Sequence, residues 1–264
     1  MEAAMKENKM ASMPVNKLLI SMALPMMISM LVQALYNIVD SIFVAKYSAS
    51  CMTAISLVFP LQTLMIAGGS GIGVGMNAIL SRYLGAKDQE GVNRTALNGI
   101  VLYAACYVVF LVVGLFAAEP FMRAQASSQE IFEEGTIYLK IVCCMSIGMF
   151  AQFCFERMLQ STGKTIFSMY TQMTGAVINL ILDPILIFGL LGAPRMGMAG
   201  AALATVIGQC AAGGMAVLFN VKFNKEIHLN KIKGFKPSGH TMGKILYIGV
   251  PSIIMPVSYT HLRA

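Results

Sequence analysis

Three stretches of this sequence, residues 47–81, 95–118 and 196–221, contain no Asp, Glu, Lys or Arg. Each equals or exceeds the about 20 residues a helix needs to cross the hydrocarbon of a bilayer. Two more, 18–44 and 165–191, are as apolar apart from one aspartate each, Asp40 and Asp183. A sixth, 137–160, has Lys140 near one end and Glu156 and Arg157 near the other, where long side chains snorkel to the interface. A seventh apolar run begins near Gly243. The pattern predicts an all-α, polytopic membrane bundle of six transmembrane helices plus the start of a seventh. Alternating ten-residue segments, the mark of a membrane barrel, are missing. Only 12% of the residues are charged, against about 25% in an ordinary globular chain, too few to cover a soluble surface. The first span reads as a membrane helix and not a signal peptide, because it is too long and carries Asp40.

The connecting segments give the organisation and the orientation. Residues 1–13 read as a cytoplasmic amino-terminal segment, 14–222 as a six-helix lobe, 223–242 as a basic cytoplasmic loop and 243–255 as the start of helix seven. On one side fall Lys6, Lys9, Lys17, Arg82, Lys87, Arg94, Arg157, Lys164 and the six lysines of the last loop and its edge, Lys222, Lys225, Lys231, Lys233, Lys236 and Lys244. The other side has four bases, Lys46, Arg123, Lys140 and Arg195, among Glu119, Glu130, Glu133 and Glu134. That asymmetry puts the amino terminus in the cytoplasm and the odd helices running outward. A net charge of +7 would suit nucleic acid on a soluble surface. Bases confined to short segments between apolar runs fit anionic lipid headgroups of a cell membrane instead, and no nucleic-acid partner is expected.

Asp40 and Asp183 are the two ionisable groups set well inside apolar spans. A charge there costs about 2.5–3.5 kcal/mol on the lenient insertion scale, so function is the default expectation. Asp40 lies 23 residues past Lys17 and Asp183 lies 19 past Lys164. At about 1.5 Å per residue both stand in the outer half of the bilayer, within roughly one helical turn of each other in height. Gln33, Tyr36, Asn37 and Asp40 follow i, i+3, i+4, i+7 spacing and share one face. Gln172, Asn179 and Asp183 line a face of the fifth span, with the small Gly175 and Ala176 between them. Thr205, near the outer end of the inward-running sixth span, reaches a similar depth. Three helices thus aim polar groups into one outward-facing cavity. Pro184 cannot donate to the Leu180 carbonyl, which leaves a free acceptor beside the Asp183 carboxyl. Burial disfavours a charged carboxylate, so the pair is suited to taking up a proton or a small cation such as Na+. The competing reading is a structural hydrogen bond between helices.

Other features read more plainly. The run from Gly68 to Gly75 lies mid-span with no preceding strand and no following Lys-Ser/Thr, which excludes a nucleotide loop; Gly71 and Gly75 fit close helix packing. Glu156, with Gln152 and Gln160 at four-residue spacing, reads first as an interfacial glutamate paired with Arg157 and second as the lining of an inner polar path. Six cysteines without a C-x-x-C pair, and histidines (His228, His240, His261) outside the six spans, point to neither a disulfide framework nor a metal centre. The 22 methionines suit an adaptable apolar wall and are equally ordinary bundle filler.

Several stretches together resemble the multidrug and toxic compound extrusion (MATE) family. They are Leu24-Pro25-Met26-Met27 through Tyr36-Asn37-Ile38-Val39-Asp40-Ser41, and Gly71-Ile72-Gly73-Val74-Gly75-Met76-Asn77 leading to Ser81-Arg82-Tyr83-Leu84-Gly85-Ala86. Gln160-Ser161-Thr162-Gly163-Lys164, Asn179-Leu180-Ile181-Leu182-Asp183-Pro184 and the segment from Gly197 to Thr205 complete the set. The likeness runs over about residues 14–255. It implies a secondary transporter that exports organic cations and drugs in exchange for protons or sodium ions, without a cofactor, built as two six-helix lobes around a cavity. This chain resembles the amino-terminal lobe, so a carboxy-terminal lobe of the same polypeptide is the expected partner. The resemblance places Asp40 and Asp183 in the cation site with Tyr36, Asn179 and Thr205 as hydrogen-bonding neighbours, and makes Pro25 the bend point of the first helix. Gln33, Asn37 and Gln172 are weaker candidates for the substrate cavity. From Pro256 the sequence departs from the family pattern, and 256–264 reads as a truncated or non-native tail.

Two rivals stand beside that reading. A flippase for a lipid-linked precursor would want deep cationic side chains to hold a pyrophosphate, and no Arg or Lys lies deep in a span. An intramembrane enzyme would need reactive groups at catalytic spacing, and neither H-E-x-x-H nor a nucleophile–base pair is present. The chain is expected not to be an enzyme.

Overall fold

The computed structural model describes residues 13–228 and 236–261, with side chains as far as residue 252. Nearly all of the amino-terminal segment 1–13, the middle of the basic loop with Lys231 and Lys233, and the last three residues lie outside the described residues. The chain is built of helices: α1 (Val15–Tyr47), α2 (Ala49–Gly85), α3 (Gln89–Val112), α4 (Ala118–Gln125), α5 (Gln129–Cys144), α6 (Ile147–Ser161), α7 (Thr165–Phe188), α8 (Met198–Phe223) and α9 (Gly239–His261). Five are long and apolar enough to cross a membrane, α3 and α4 counting as one continuous span 89–125, and the α5–α6 pair makes a sixth if taken as one bent span. The six expected spans are therefore present, with two differences in form.

The first difference is the fourth span. Instead of one straight helix over 137–160, the chain runs through α5, turns at Met145–Ser146 and continues in α6 at an angle of 44°. Breaking a helix frees carbonyls that must find donors in a low-dielectric setting. Here the Ser146 hydroxyl donates to Cys143 O (2.7 Å) and the Tyr107 hydroxyl donates to Cys144 O (3.2 Å). The second difference is in the third span, where one π-helical turn, Val113–Ala117, joins α3 to α4. Gly114 in that turn faces the broken segment: a Cβ there would lie 2.6 Å from Cys143 Cβ. The two irregularities pack on each other. Helix α9 also differs, beginning four residues before Gly243 and continuing past Met255 to His261.

Turn chemistry explains the other ends. Ser48 interrupts α1 and α2 in an extended conformation and its hydroxyl accepts from the Ser50 N–H. Asp88 caps α3 by accepting from the Gly91 N–H at 2.9 Å, and Ser128 caps α5 by accepting from Ile131 N–H. Gly189, with φ +75°, closes α7 in the left-handed region that favours glycine.

Helix α2 runs through the centre of the lobe, with α3, α5, α6 and α9 around it. Its glycines allow the closest approach: a Cβ on Gly75 would collide with the backbone carbonyl of Ile245 in α9, and a Cβ on Gly249 would collide with the carbonyl of Gly71. The glycine run is a packing seam, as its mid-span place suggests. The apolar core gathers around Met65, Met76, Tyr103, Phe110 and Phe150, with the rings of Phe110 and Phe150 stacked at 5.9 Å. Helix α1 packs mainly on α7, and α7 packs on α8 through Gly175 and Gly208. A Cβ on Gly208 would lie 2.7 Å from the Gly175 carbonyl oxygen. That crossing fixes which side chains of α7 and α8 meet one turn further out.

Candidate functional site: an acid-lined cavity within the bundle

One turn from the Gly175–Gly208 crossing, toward the carboxy-terminal end of α7, Asn179 of α7 meets Thr205 of α8. With the Asn179 amide oriented so that its nitrogen faces Asp183, it donates to Asp183 Oδ2 at 3.1 Å. In the same orientation its oxygen accepts from the Thr205 hydroxyl (3.3 Å) and backbone N–H (3.2 Å). This assignment satisfies both ends of the amide, whereas the reverse leaves donor facing donor. Asp183 is fully buried, at 0% exposure. Across from it, α1 brings Asp40 close enough for the two carboxyl groups to share a hydrogen bond. Asp40 Oδ1 is buried with no protein donor. Two carboxylates have acceptors only, so a bond between them requires a proton, and a cation between them would serve the same electrostatic end.

The surrounding groups come from α1, α2 and α5. Tyr36 stands one turn before Asp40, beside Gln33 and within electrostatic range of both aspartates. Tyr138, 3% exposed on α5, lies within electrostatic range of the same pair and shares the cavity wall with Gln62 of α2. Neither Tyr138 nor Gln62 belongs to the polar stripes that the spacing of α1 and α7 marks out. Gln62 is the one side chain of the two with a legible signal, a lone long polar residue in a charge-free span. Tyr138 reads as ordinary amphipathic filler until the fold places it.

From this end a cavity of about 130 Å³ runs toward Glu156, lined by Gln33, Tyr36, Asn37 and Asp40 of α1 and by Gln172, Gly175, Ala176 and Asn179 of α7. Thr205 and Gln209 of α8, Gln62 and Ile66 of α2, Tyr138 of α5, and Met149, Gln152, Phe153 and Glu156 of α6 complete the wall. The residues expected at the cation site and in the substrate cavity all border this space except Asp183, which accepts a hydrogen bond from Asn179; Gln160, named beside Glu156, does not border it. Pro25 stands apart from it, buried in a stretch of α1 that stays helical through the proline.

Glu156 requires a correction. Rather than sitting at the interface against Arg157, it is 3% exposed, lines the cavity and accepts three hydrogen bonds. Gln152 Nε2 donates to Oε1 (2.9 Å), the Thr171 hydroxyl donates to Oε1 (2.7 Å) and Gln172 Nε2 donates to Oε2 (2.9 Å). Arg157 instead donates to Gln160 Oε1 at 2.8 Å. The signal was present in the Gln152–Glu156 spacing; what the sequence could not show was that Thr171 and Gln172 would arrive from the next helix.

The Thr205 hydroxyl gives a contained prediction. Thr205→Val keeps the shape and removes one donor, so stability should fall by about 0.6 kcal/mol, the mean for hydrogen bonds between membrane helices. A thermal melt of the purified protein that drops by more than a few degrees would show a larger structural role.

These features define a polytopic membrane protein with an acid-lined cavity between its helices. Residues 25–185 match the MatE family model, and the chain belongs to that family. It is 34% identical over 242 residues to the multidrug export protein MepA of Staphylococcus haemolyticus, an alignment covering 91% of this chain and 52% of that protein. Among solved structures it resembles an outward-facing multidrug-resistance MATE transporter of the MOP superfamily, with TM-score 0.83 and 27% identity over 92% of this chain and 53% of that one. A MATE transporter in the straight conformation gives TM-score 0.84 and 27% identity over 92% of this chain and 53% of that one. The chain thus spans about half the length of the curated relatives it matches, and those relatives are transporters, not enzymes.

Proposed function

We propose that this chain forms one lobe of a cation-coupled antiporter that exports organic cations and drugs across the cell membrane, with its amino terminus in the cytoplasm. The meeting of Asp40 and Asp183 at the outer end of the cavity carries the reading. Two carboxyls in mutual range repel when both are charged, and one H+ or Na+ relieves that repulsion. Tyr36, Asn179 and Thr205 hold the pair in place; Gln33, Asn37 and Gln172 line the route a substrate would share. Loading the pair favours one packing of α1 on α7, and unloading favours another, with Pro25 as the bend point because its ring removes a backbone hydrogen bond. A substrate drives exchange only insofar as it binds the two arrangements with different affinity.

The flippase alternative gains no support from the geometry. Among the cavity-lining residues there is no Arg or Lys to hold a pyrophosphate. Ethidium efflux by the complete polypeptide, with proton and sodium gradients varied separately, tests the proposal. Efflux that follows one imposed gradient is the expected result. Efflux indifferent to both gradients would contradict antiport, and its absence under either would remove the export reading.

A further inference from the structure

The cavity has a second acidic end that ion coupling does not use. Glu156 belongs to the inner half of the bundle, five residues before the end of α6, and its partners Thr171 and Gln172 lie one to two turns from the start of α7. Asp183 is 11 residues beyond Gln172 on the same helix, so the two acidic ends stand roughly 16 Å apart along it. They differ in chemistry. At the outer end two carboxyls face each other and can share one small ion. At the inner end one carboxylate is met by an O–H and two amide N–H donors, all neutral. These three hydrogen bonds hold the buried carboxyl group in one orientation, with the Thr171 hydroxyl also in reach of the Ser168 carbonyl at 2.7 Å. No Lys or Arg is among the residues that line this cavity, and the neighbouring Arg157 guanidinium is bonded to Gln160.

The donors are unevenly shared. Oε1 accepts from Gln152 and Thr171, while Oε2 accepts only from Gln172. A carboxylate oxygen takes about two hydrogen bonds, so Oε2 keeps one acceptor position open. The same cavity wall carries Ile66, Met149 and Phe153, an apolar surface with one aromatic ring and one deformable thioether. A buried negative group with an open acceptor beside apolar and aromatic walls matches a bulky organic ion whose positive nitrogen is embedded in hydrocarbon. An inorganic cation would want several oxygen ligands, and both neighbouring amides present nitrogen to the carboxylate.

We infer that Glu156, held by Gln152, Thr171 and Gln172, is the site that recognises the positive charge of organic substrates, separate from the Asp40–Asp183 pair. The inference rests on reading this cavity as the export route, and it goes further by assigning substrate charge to one residue. It is tested by equilibrium binding to the purified complete polypeptide in detergent, at one pH and without ion gradients, using the permanent cation ethidium and the uncharged dye Nile red. Glu156→Gln should weaken ethidium at least tenfold and leave Nile red unchanged. Glu156→Asp, which keeps the charge but withdraws it by one methylene, should weaken ethidium by a smaller factor. Unchanged ethidium affinity in Glu156→Gln would overturn the inference. Equal weakening of both dyes would also overturn it, because it would mark a packing role. A loss of radioactive sodium binding with ethidium unaffected would reassign the site to an inorganic ion and overturn it too. If Glu156→Gln is recovered unfolded, Glu156→Asp carries the decision: selective weakening of ethidium supports the assignment and equal retention of both dyes refutes it. Because no gradient is applied, a complete polypeptide that binds ethidium through Glu156 yet fails to exchange it for ions would defeat the antiport reading alone.

Discussion

Asparagine at position 183 should abolish ethidium export by the complete polypeptide while leaving its amount in the membrane close to normal. Asp183→Asn is nearly isosteric, and the Asn179 and Thr205 contacts that hold this position persist around it, so the fold has little to lose. What disappears is the second carboxyl facing Asp40, and with it the repulsion that the proposed mechanism uses to take up and release a cation. A residual rate below about one hundredth of the parent corresponds to a barrier increase of about 2.7 kcal/mol. Asp40→Asn should behave alike. Export rates near the parent's in either variant, measured at matched expression, would remove the pair from the coupling step.

A second large effect is expected from a residue with no polar group. Gly148, in the first turn of α6, faces the backbone of α8: a Cβ there would stand 2.7 Å from Cys210 N and 2.8 Å from Cys210 Cα. The reciprocal position is as tight, with a Cβ on Gly213 falling 2.8 Å from the Gly148 carbonyl oxygen. Backbone cannot turn aside as a side chain can, so Gly148→Val must push α6 from α8. Overpacking costs about 1–3 kcal/mol where neighbours can shift, and this contact belongs at the upper end. Because α6 carries Gln152 and Glu156, the displacement also opens the Glu156 end of the cavity. The expected outcome is a lower melting temperature in detergent, by several degrees, with a reduced yield of monodisperse protein. Substituting Gly214, whose Cβ would meet nothing within 4 Å, should leave both measurements unchanged and serves as the control.

The spans were legible because a bilayer permits few charges, and charge-free runs mark themselves. The break at Met145–Ser146 was not legible, since it depends on Tyr107 and Ser146 supplying donors to carbonyls that a straight helix would have satisfied itself. Matched depth of Asp40 and Asp183 followed from rise per residue alone. Convergence of the three polar faces on one cavity was expected as well, but the approach of the two carboxyls to each other depends on how α1 packs on α7. Gln209, four residues after Thr205 on one helix face, could have been named by the same spacing rule that grouped Gln33, Tyr36, Asn37 and Asp40. Glu156 shows the opposite failure: its neighbour Arg157 offered a local partner, while its actual partners, Thr171 and Gln172, lie across a helix hairpin. Sequence proximity favoured the exposed pairing, and tertiary packing chose the buried one.

The central claim is that Asp40 and Asp183 act as one site, and a double-substitution cycle measures that directly. Counter-ion flux driven by an ethidium gradient would be followed in vesicles containing the complete polypeptide, its Asp40→Asn and Asp183→Asn variants, and the double variant. Groups that act as a unit are strongly non-additive. Each single substitution is therefore expected to cost as much flux as both together. Partial losses that multiply in the double variant would contradict the account, because they would describe two acids working independently.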